Sequence, residues 1–394
     1  MRIRVLRVIA TLAALAVGIL VLHRYDYLTA FGQVDNIVGM LPCALVVTFV
    51  AGVIALIWMK HTKPRIPITV TLSVIVVLSL VVFPNALRGN WWINPTTSEA
   101  ADAAPDLSVY APFTQGSLTA KLDEDSSLRL ADSLPVLDGA TALYPVYAAF
   151  AEAAYDQSSY TDDRVLCTNT RGSYEAIIAG ERDIVFVAGA SEKQKALAAE
   201  AGVELVFTPI GREAFVFVVG KDNPVENLTD KQLRNIYSGK TAYWGTLDWP
   251  EGGRIIAFQR PEGSGSQTGL QTYLGNTPIQ VPQPLPDPSL IGTNSLMQQV
   301  SVEWNGVQPA LGYSYRFYAT TMYANPNTKL LSINGVEPTT ANIQNGSYPF
   351  VGSFYAVTNG EPQGNAKLLI DWILSPQGQR LIEETGYTPI GSTR

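Results

Sequence analysis

The chain has 394 residues and a formal net charge of −7, and its two ends differ in charge. Residues 1–100 hold 8 Lys+Arg and 3 Asp+Glu, or +5, which leaves 27 − 8 = 19 basic and 34 − 3 = 31 acidic residues, or −12, for residues 101–394. An acidic segment lacks the basic surface that nucleic-acid phosphates need, which argues against nucleic acid as a partner. Any anion site in this segment must attract its ligand locally.

Histidine and cysteine usage narrows the chemistry further. Both histidines, His23 and His61, lie in the first 65 residues, so residues 101–394 contain no imidazole. The acidic segment therefore lacks the imidazole of a Ser-His-Asp or Cys-His site and of a His-ligated metal site. Cys43 and Cys167 are the only cysteines, and they provide no disulfide framework. We predict that the protein is not an enzyme and uses no metal and no cofactor.

Three apolar runs near the N-terminus are long enough to cross a membrane. They span about residues 5–22, 37–59 and 66–83, with lengths of 18, 23 and 18 residues. A membrane-spanning helix needs about 20 residues at a rise of 1.5 Å each. The basic residues at the start of the first run and between the last two runs are Arg2, Arg4, Arg7, Lys60, Lys63 and Arg65. The positive-inside rule then places everything after Phe83 outside the cytoplasm, in a multi-pass protein of the cell membrane.

The first run also fits a cleaved signal peptide, with Leu28-Thr29-Ala30 as a processing site. Cleavage would leave two spans, and two spans return the chain to the outer face. We therefore predict a membrane region over residues 1–88 under either alternative. Trp91 and Trp92 suit the outer membrane interface, and residues 94–107 lack hydrophobic periodicity and carry two prolines. Residues 89–107 are predicted to be a linker.

From Ser108 onward, short apolar runs alternate with helical segments, which is typical of an α/β domain. We predict that residues 108–394 form one such domain. The predicted strands are 134–137, 184–188, 205–209, 214–219, a strand at Ile255, and 354–358. The predicted helices are 144–155, 174–179, 192–201, 230–237 opened by Thr229, one at Ser266, one near 295–302, 365–374 and 376–384.

The stretch from Phe258 to Gly269, FQRPEGSGSQTG, predicts an anion site. An apolar run precedes it and a helical pattern follows, so Gly263, Ser264 and Gly265 form a tight turn at a helix start. The first N–H groups of a helix have no internal acceptor and lie at the positive end of its dipole. The serine hydroxyls and the Arg260 guanidinium add further donors. Alone, the turn could simply be a flexible loop with a serine cap.

Two further turns of small residues precede helices. One spans residues 138–145, DGATALYP, and the other spans residues 168–174, TNTRGSY. Each alone is compatible with ordinary helix capping. Three such turns in one domain can aim N–H groups and hydroxyls at one point between two lobes, as an oxyanion site requires.

A resemblance supports this interpretation. The chain resembles the phosphate-binding proteins of ABC importers over about residues 130–394. The motifs that carry the resemblance are, in order, residues 138–141 (DGAT), 211–217 (GREAFVF), 227–229 (NLT) through 236–240 (IYSGK), 260–266 (RPEGSGS), 312–315 (GYSY) and 386–389 (GYTP). The resemblance implies a type II periplasmic-binding-protein fold behind three transmembrane helices. Lobe 1 would contain about 130–212 and 312–394, lobe 2 about 213–311, and the lobes would close around an anion by hinge motion.

The resemblance also implies binding residues. The family's first loop falls on Thr141 and Ala142, its second on Thr170 to Ser173, and its arginine and serine-glycine element on Arg260, Gly263, Ser264, Gly265 and Ser266. Glu262 falls where the family has an acid that orients the arginine.

One departure concerns the family's pocket aspartate, which accepts the proton of hydrogen phosphate. The corresponding run here, residues 186–192, reads FVAGASE and ends in Glu192. Apart from this run, Arg212 and Glu213 begin an apolar strand. Arg212 and Glu213 could form an ion pair at the hinge or contact the ligand.

Together these features predict a membrane-anchored extracytoplasmic solute-binding protein that captures inorganic phosphate or a similar oxyanion for ABC permease subunits. An alternative is an anion sensor that relays lobe closure to a membrane partner without transport. A third possibility is an enzyme that uses carboxylates such as Asp138 or Glu262, which the lack of histidine and of a clustered carboxylate pair disfavours.

Overall fold

The computed structural model describes residues 105–250, 252–281 and 310–390, the backbone of a short strand at 97–99, and six isolated helical positions before residue 55. The predicted spans lie almost entirely outside these residues, and so does the predicted helix near 295–302. No helix within the described part has both the length and the apolar character to cross a membrane.

The secondary structure alternates between strands and helices, as the sequence predicts. The strands are β1 (Thr97–Glu99), β2 (Leu137–Gly139), β3 (Ile184–Val187), β4 (Leu205–Gly220), β5 (Asn227–Leu228), β6 (Ile256–Gln259), β7 (Ala310–Tyr315), β8 (Thr328–Leu330), β9 (Ser332–Ile333), β10 (Val351–Asn359) and β11 (Thr388–Pro389). The α-helices are α1 (Tyr144–Ala154), α2 (Asn169–Ile178), α3 (Glu192–Glu200), α4 (Asp230–Tyr237), α5 (Gly265–Leu274), α6 (Thr340–Gln344), α7 (Gly364–Ile373) and α8 (Pro376–Thr385).

Capping explains why several predicted helix starts agree with the structure. Thr229 opens α4 with a capping box, in which its side chain accepts from the Gln232 N–H. Ser191 opens α3 in the same way with Gln194. The helix predicted from Tyr174 begins five residues earlier, because Asn169 at φ +63° turns the chain into α2. The residues of that first turn are polar, so the apolar spacing from which a helix is predicted begins only after them.

The largest sheet is continuous through β4, in the order β1-β6-β7-β4-β10-β3-β2. β2 and β3 pair in parallel, as do β6 and β7, while β4 is antiparallel to both β7 and β10. β1 pairs with β6 at one edge, although the sequence predicts a linker there. A three-residue edge strand is held by backbone hydrogen bonds and needs no apolar alternation, so sequence periodicity cannot reveal it.

The 16-residue strand β4 joins two halves of this sheet. Its first half pairs with β10, whereas Phe215–Val219 pairs with β7. The sequence predicts two strands here, separated by a turn at Gly211. The chain instead stays extended, because an aromatic ring of Phe354 packs where a Cβ of Gly211 would lie. Both β7 and β8 pair with the second half of β4, and the chain next pairs with its first half at β10, later than the predicted return to lobe 1 at residue 312.

Each lobe has its own apolar core. In lobe 1, the buried face of α1 packs with α7, α8 and the strands β2 and β3 around Phe150 and Phe186. In lobe 2, aromatic rings of β4 and β7 meet those of α4 and α5, and Phe215 lies 5.3 Å from Tyr313 between ring centroids. The long strand β4 runs from one of these packed regions to the other.

Candidate functional site

The three predicted turns come together around one cavity. Its volume is about 100 Å³, and it lies where the helix starts of the two lobes face each other. Lobe 1 contributes the turn before α1 and the start of α2, and lobe 2 contributes the start of α5. The lining residues are Ala140, Thr141, Ala142, Leu143, Asn169, Thr170, Ala188, Glu213, Arg260, Ser264, Gly265, Ser266, Ser314, Tyr315, Tyr318, Ser353, Phe354 and Tyr387. N–H groups of helix starts thus approach the cavity from both sides.

The corner between β6 and α5 has the predicted strand-turn-helix geometry. Gly263 adopts φ +81°, a left-handed conformation that glycine tolerates best. Ser264 caps α5, because its Oγ accepts from the Gln267 N–H at 3.2 Å. The Ser264 hydroxyl can still donate its proton to a ligand. The first turn of α5 therefore has its backbone donors at the cavity wall.

Arg260 lies at the start of this corner and lines the cavity. Its backbone N–H donates to the Tyr313 hydroxyl at 2.8 Å and to the Gln267 Oε1 at 3.1 Å, which fixes the chain at that point. Burial lowers the pKa of the guanidinium from its usual range, and nearby Tyr318 opposes this. A guanidinium remains charged even after such a shift, so Arg260 brings positive charge to a site shielded from water.

Asp138 holds the two lobe 1 loops together. Its carboxylate is fully buried and accepts from the Gly139 N–H at 2.7 Å, from the Thr168 N–H at 2.8 Å and from the Thr168 hydroxyl at 2.7 Å. Arg182 donates to the same carboxylate at 3.0 Å. A carboxylate with these partners has a structural task, since it fixes the starts of α1 and α2 relative to each other.

The two lobes touch at the mouth of the cavity. Arg171 in α2 donates through Nη2 to the backbone carbonyl of Glu262 at 2.6 Å. The Gln194 side chain in α3 donates to the carbonyl of Gly263 at 3.2 Å. Both bonds run from lobe 1 to the 260–265 corner of lobe 2, so this is a closed arrangement of the lobes.

Glu213 lies in the hinge strand β4 and faces the same cavity. The residue is 6% exposed, and its carboxyl oxygens accept from the Ala214 N–H at 2.9 Å and the Phe317 N–H at 3.4 Å. Burial raises the pKa of Glu213 to about 8, against the smaller lowering effects of those N–H groups and of Arg316. The carboxyl group is therefore mostly protonated at neutral pH.

Of the two alternatives for Arg212 and Glu213, the ion pair is not the one found between these described residues. Among the described residues, no ion pair joins the two side chains, because consecutive residues of a strand point to opposite faces. Glu213 lines the cavity, and Arg212 is not among the lining residues.

Three other predicted site residues lie beside the cavity lining. Ser173 is fully buried one turn into α2, where its hydroxyl donates to the Thr170 carbonyl at 3.1 Å. Gly263 shapes the turn. The Glu262 carboxylate accepts from the Gln271 side chain at 2.8 Å. The other predicted site residues line the cavity: Thr141, Ala142, Thr170, Arg260, Ser264, Gly265 and Ser266. Their contact with a ligand stays a prediction.

The run that ends in Glu192 does not bring an acid to the cavity. The Glu192 side chain is 91% exposed and pairs with Lys195, while Ala188 of the same run lines the cavity. Sequence reasoning also gave no ligand role to Ser314, Tyr315, Ser353 or Tyr387. The motifs at 312–315 and 386–389 contain three of these four residues, but a linear pattern does not show toward which face of a sheet a side chain points.

Comparison with known proteins agrees with this architecture. Residues 133–377, more than half of the chain, match the model of the PBP superfamily domain. The chain is 24% identical over 255 residues to the phosphate-binding protein PstS of Bacillus subtilis, which covers 64% of this chain and 80% of that protein. It is 26% identical over 228 residues to PstS of Staphylococcus epidermidis, which covers 55% of this chain and 67% of that protein.

Among solved structures, the chain is similar to an ABC-type phosphate transport receptor from Vibrio cholerae. The TM-score is 0.47 at 18% identity, with 64% of this chain and 99% of that chain covered. The family match makes the chain a member of the PBP superfamily, with a mixed α/β fold of the type II periplasmic-binding-protein kind. Its sequence relatives include phosphate-binding proteins named PstS.

Proposed function

We propose that the chain is a membrane-anchored extracytoplasmic solute-binding protein that captures inorganic phosphate, or a similar tetrahedral oxyanion, for an ABC importer. The observation that carries the proposal is the cavity between the lobes, where the starts of helices from both sides and the Arg260 guanidinium converge. Charge-assisted hydrogen bonds to a guanidinium and N–H groups at helix starts are the usual means of holding an oxyanion.

The proposed ligand contacts follow from the lining. Arg260 neutralises charge, Ser264, Gly265 and Ser266 donate from lobe 2, and Thr141, Ala142 and Thr170 donate from lobe 1. Because donors come from both lobes, a bound anion ties the lobes together. The interlobe bonds of Arg171 and Gln194 add to the same closed state. Binding therefore favours closure through differential contacts with the closed form.

The membrane region is part of the proposal and rests on the sequence. Residues 1–88 carry three apolar runs, and the basic residues that flank them support an extracytoplasmic position for residues 108–394. A tethered receptor is held at a high local concentration near membrane partners. We propose permease subunits as those partners.

Equilibrium binding of radiolabelled phosphate to the full chain in detergent tests the proposal. We expect saturable binding of one phosphate per chain, with competition by unlabelled phosphate and none by acetate. Phosphate uptake by vesicles that contain the permease, with and without this chain, separates import from sensing. Uptake that rises only when the chain is present supports import, and binding without any effect on uptake would contradict it.

A further inference from the structure

Three buried polar side chains in lobe 2 form a relay of hydrogen bonds that ends on Arg260. They are Gln259, which is 2% exposed, Gln267, which is 5% exposed, and Tyr313, which is fully buried. None of the three is among the lining residues of the cavity. Polar groups in an apolar interior cost free energy unless they are hydrogen-bonded, so the bonds of this relay are the reason that these side chains can lie there.

The hydrogen bonds of the relay run in one direction. The Gln259 Nε2 donates to the Gln280 carbonyl at 2.7 Å, and the Gln267 Nε2 donates to the Gln259 Oε1 at 3.1 Å. The Gln267 Oε1 accepts from the Arg260 N–H at 3.1 Å and also from the Tyr313 hydroxyl. The Tyr313 oxygen accepts from the same Arg260 N–H at 2.8 Å.

Both ends of the relay fix this direction. A backbone N–H can only donate, so the Gln267 atom that faces Arg260 must be its oxygen. A backbone carbonyl can only accept, so the Gln259 atom that faces Gln280 must be its nitrogen. The amide orientations that the two ends require agree at the bond between the two glutamines. The relay therefore has a single hydrogen-bond arrangement, in which neither amide can turn over.

Gln267 also joins two of the groups that are proposed to hold the anion. Its backbone N–H donates to the Ser264 Oγ at 3.2 Å, and its side chain accepts the N–H of Arg260, seven residues earlier. Ser264 and Arg260 both line the cavity. One residue thus fixes the cap of α5 and the backbone of the arginine relative to each other.

We propose that Gln267, together with Gln259 and Tyr313, positions Arg260 and Ser264 for a tetrahedral oxyanion. This inference rests on the proposed function, and it assigns a role to residues that do not touch the ligand. Because the relay is complete without a ligand, the corner is built before the anion arrives. Donors that are held in place in advance lose less conformational freedom on binding, which increases affinity.

Gln267→Glu tests the direction of the relay. When it is protonated, the new carboxyl group can donate to Gln259 and accept from Arg260, as the amide does. When it is ionised, it has no donor for Gln259, and it adds negative charge near the anion site. We expect the phosphate affinity of the variant to stay within about threefold of wild type at pH 5.5 and to lie at least about tenfold below it at pH 9.

Titration calorimetry of the full chain in detergent, with sodium phosphate at pH 5.5, 7 and 9, measures these affinities. Each value is divided by the wild-type value at the same pH, which removes the titration of phosphate itself. The division also removes the titration of the groups that surround the relay, which are Arg260, Glu262 and Tyr237.

Gln232→Glu is the matched control. It adds the same charge at the start of α4 in lobe 2, where the Gln232 Oε1 accepts from the Thr229 N–H at 2.7 Å. A carboxylate accepts that bond equally well, and Gln232 is not among the lining residues of the cavity. Its affinity relative to wild type should therefore not change with pH.

A second measurement uses the wild-type protein alone. Amide hydrogen exchange resolved at Arg260 reports whether its N–H is held before the ligand arrives. In the ligand-free protein we expect this amide to exchange at least about 100-fold more slowly than an exposed amide. The result is obtained even if Gln267→Glu does not fold.

The outcomes separate the two proposals. A relative affinity of Gln267→Glu that does not change with pH, or fast exchange at Arg260 in the ligand-free protein, would overturn the role of the relay alone. An absence of phosphate binding by the wild-type protein at every pH would overturn the proposed function, and the role of the relay with it.

Discussion

Gly265 and Thr170 approach each other across the cleft so closely that a Cβ atom on Gly265 would lie 2.8 Å from the Thr170 Oγ1. Gly265 belongs to the first turn of α5 in lobe 2, and Thr170 belongs to the start of α2 in lobe 1. The backbone of one lobe therefore meets a side chain of the other at a position where a larger residue would hold them apart.

Gly265→Ala is expected to weaken phosphate binding at least about tenfold, or about 1.4 kcal/mol, because the added methyl group opposes closure. Alanine at this helix position costs no folding stability, so the ligand-free thermal midpoint should not fall. Equilibrium binding and thermal unfolding of the same samples check both parts. Gly245→Ala is the matched control, because its Cβ would lie 3.6 Å from the nearest atom. Wild-type affinity in Gly265→Ala would contradict the closed geometry.

Arg171→Ala should release phosphate faster. The side chain donates to the Glu262 carbonyl across the mouth of the cavity, and this bond exists only when the lobes are closed. Losing it favours opening, so we expect dissociation to accelerate about three- to tenfold while association changes less. Stopped-flow measurements of ligand release check this. Arg129→Ala removes a lobe 1 surface arginine that pairs with Asp156 and should leave release unchanged. Equal release rates for the two variants would contradict the role of Arg171.

Glu213 should make stability depend on pH. Its pKa is raised from 4.5 to about 8 by folding, so the folded protein retains a proton that the unfolded chain releases. The stabilisation is fully present below about pH 4.5 and is lost as the pH rises to about 8. Relative to Glu213→Gln, the wild-type protein should lose a few kcal/mol between pH 5 and 8, with about 5 kcal/mol as the upper bound at 1.36 kcal/mol per unit.

Thermal unfolding of ligand-free wild type and Glu213→Gln at pH 5, 6.5 and 8 measures this difference. The wild-type midpoint should fall relative to that of the variant as the pH rises. Glu152→Gln removes a lobe 1 carboxylate that pairs with Lys121 outside the cavity lining, so it serves as the control and should follow the wild type. Parallel curves for wild type and Glu213→Gln would show that Glu213 ionises normally in the folded protein.

The proposed topology predicts opposite results for two reporter fusions. Alkaline phosphatase is active only outside the cytoplasm, so a fusion after Arg394 should be active. A fusion within residues 60–65, between the second and third apolar runs, should be inactive. Activity in the second fusion together with inactivity in the first would invert the orientation and contradict an extracytoplasmic binding domain.

The sequence predicts the site better than it predicts the hinge. Small residues before helices identify the three turns. A helix start needs a cap and an anion site needs exposed N–H groups, and both requirements are met by residues that are neighbours in the sequence. The sequence from Leu205 to Gly220 predicts two strands, because Gly211 is a residue typical of turns. In the structure, the Phe354 ring of a distant strand packs against Gly211, and the whole segment is one strand. The orientation of Glu213 toward the cavity likewise depends on strand pairing, which no local pattern contains.

The sequence pattern does not predict the strand β1 or the return to lobe 1 at β10, for the same reason. The pairing of Thr97–Glu99 with β6 depends on contacts far along the chain. The resemblance implies a return to lobe 1 at about residue 312, and β7 lies against the second half of β4. Local chemistry predicts elements and caps, and pairing between distant segments decides which elements share a lobe.

The central claim is that an oxyanion binds between the lobes through Arg260. Thermal unfolding of the full chain with and without phosphate tests it most directly, with Arg260→Ala beside the wild type and Arg380→Ala as a surface control. Phosphate at about 100 times its dissociation constant should stabilise wild type and Arg380→Ala by about 2.7 kcal/mol and leave Arg260→Ala unchanged. An unchanged wild-type midpoint with every oxyanion, or an equal shift in Arg260→Ala, would contradict the account.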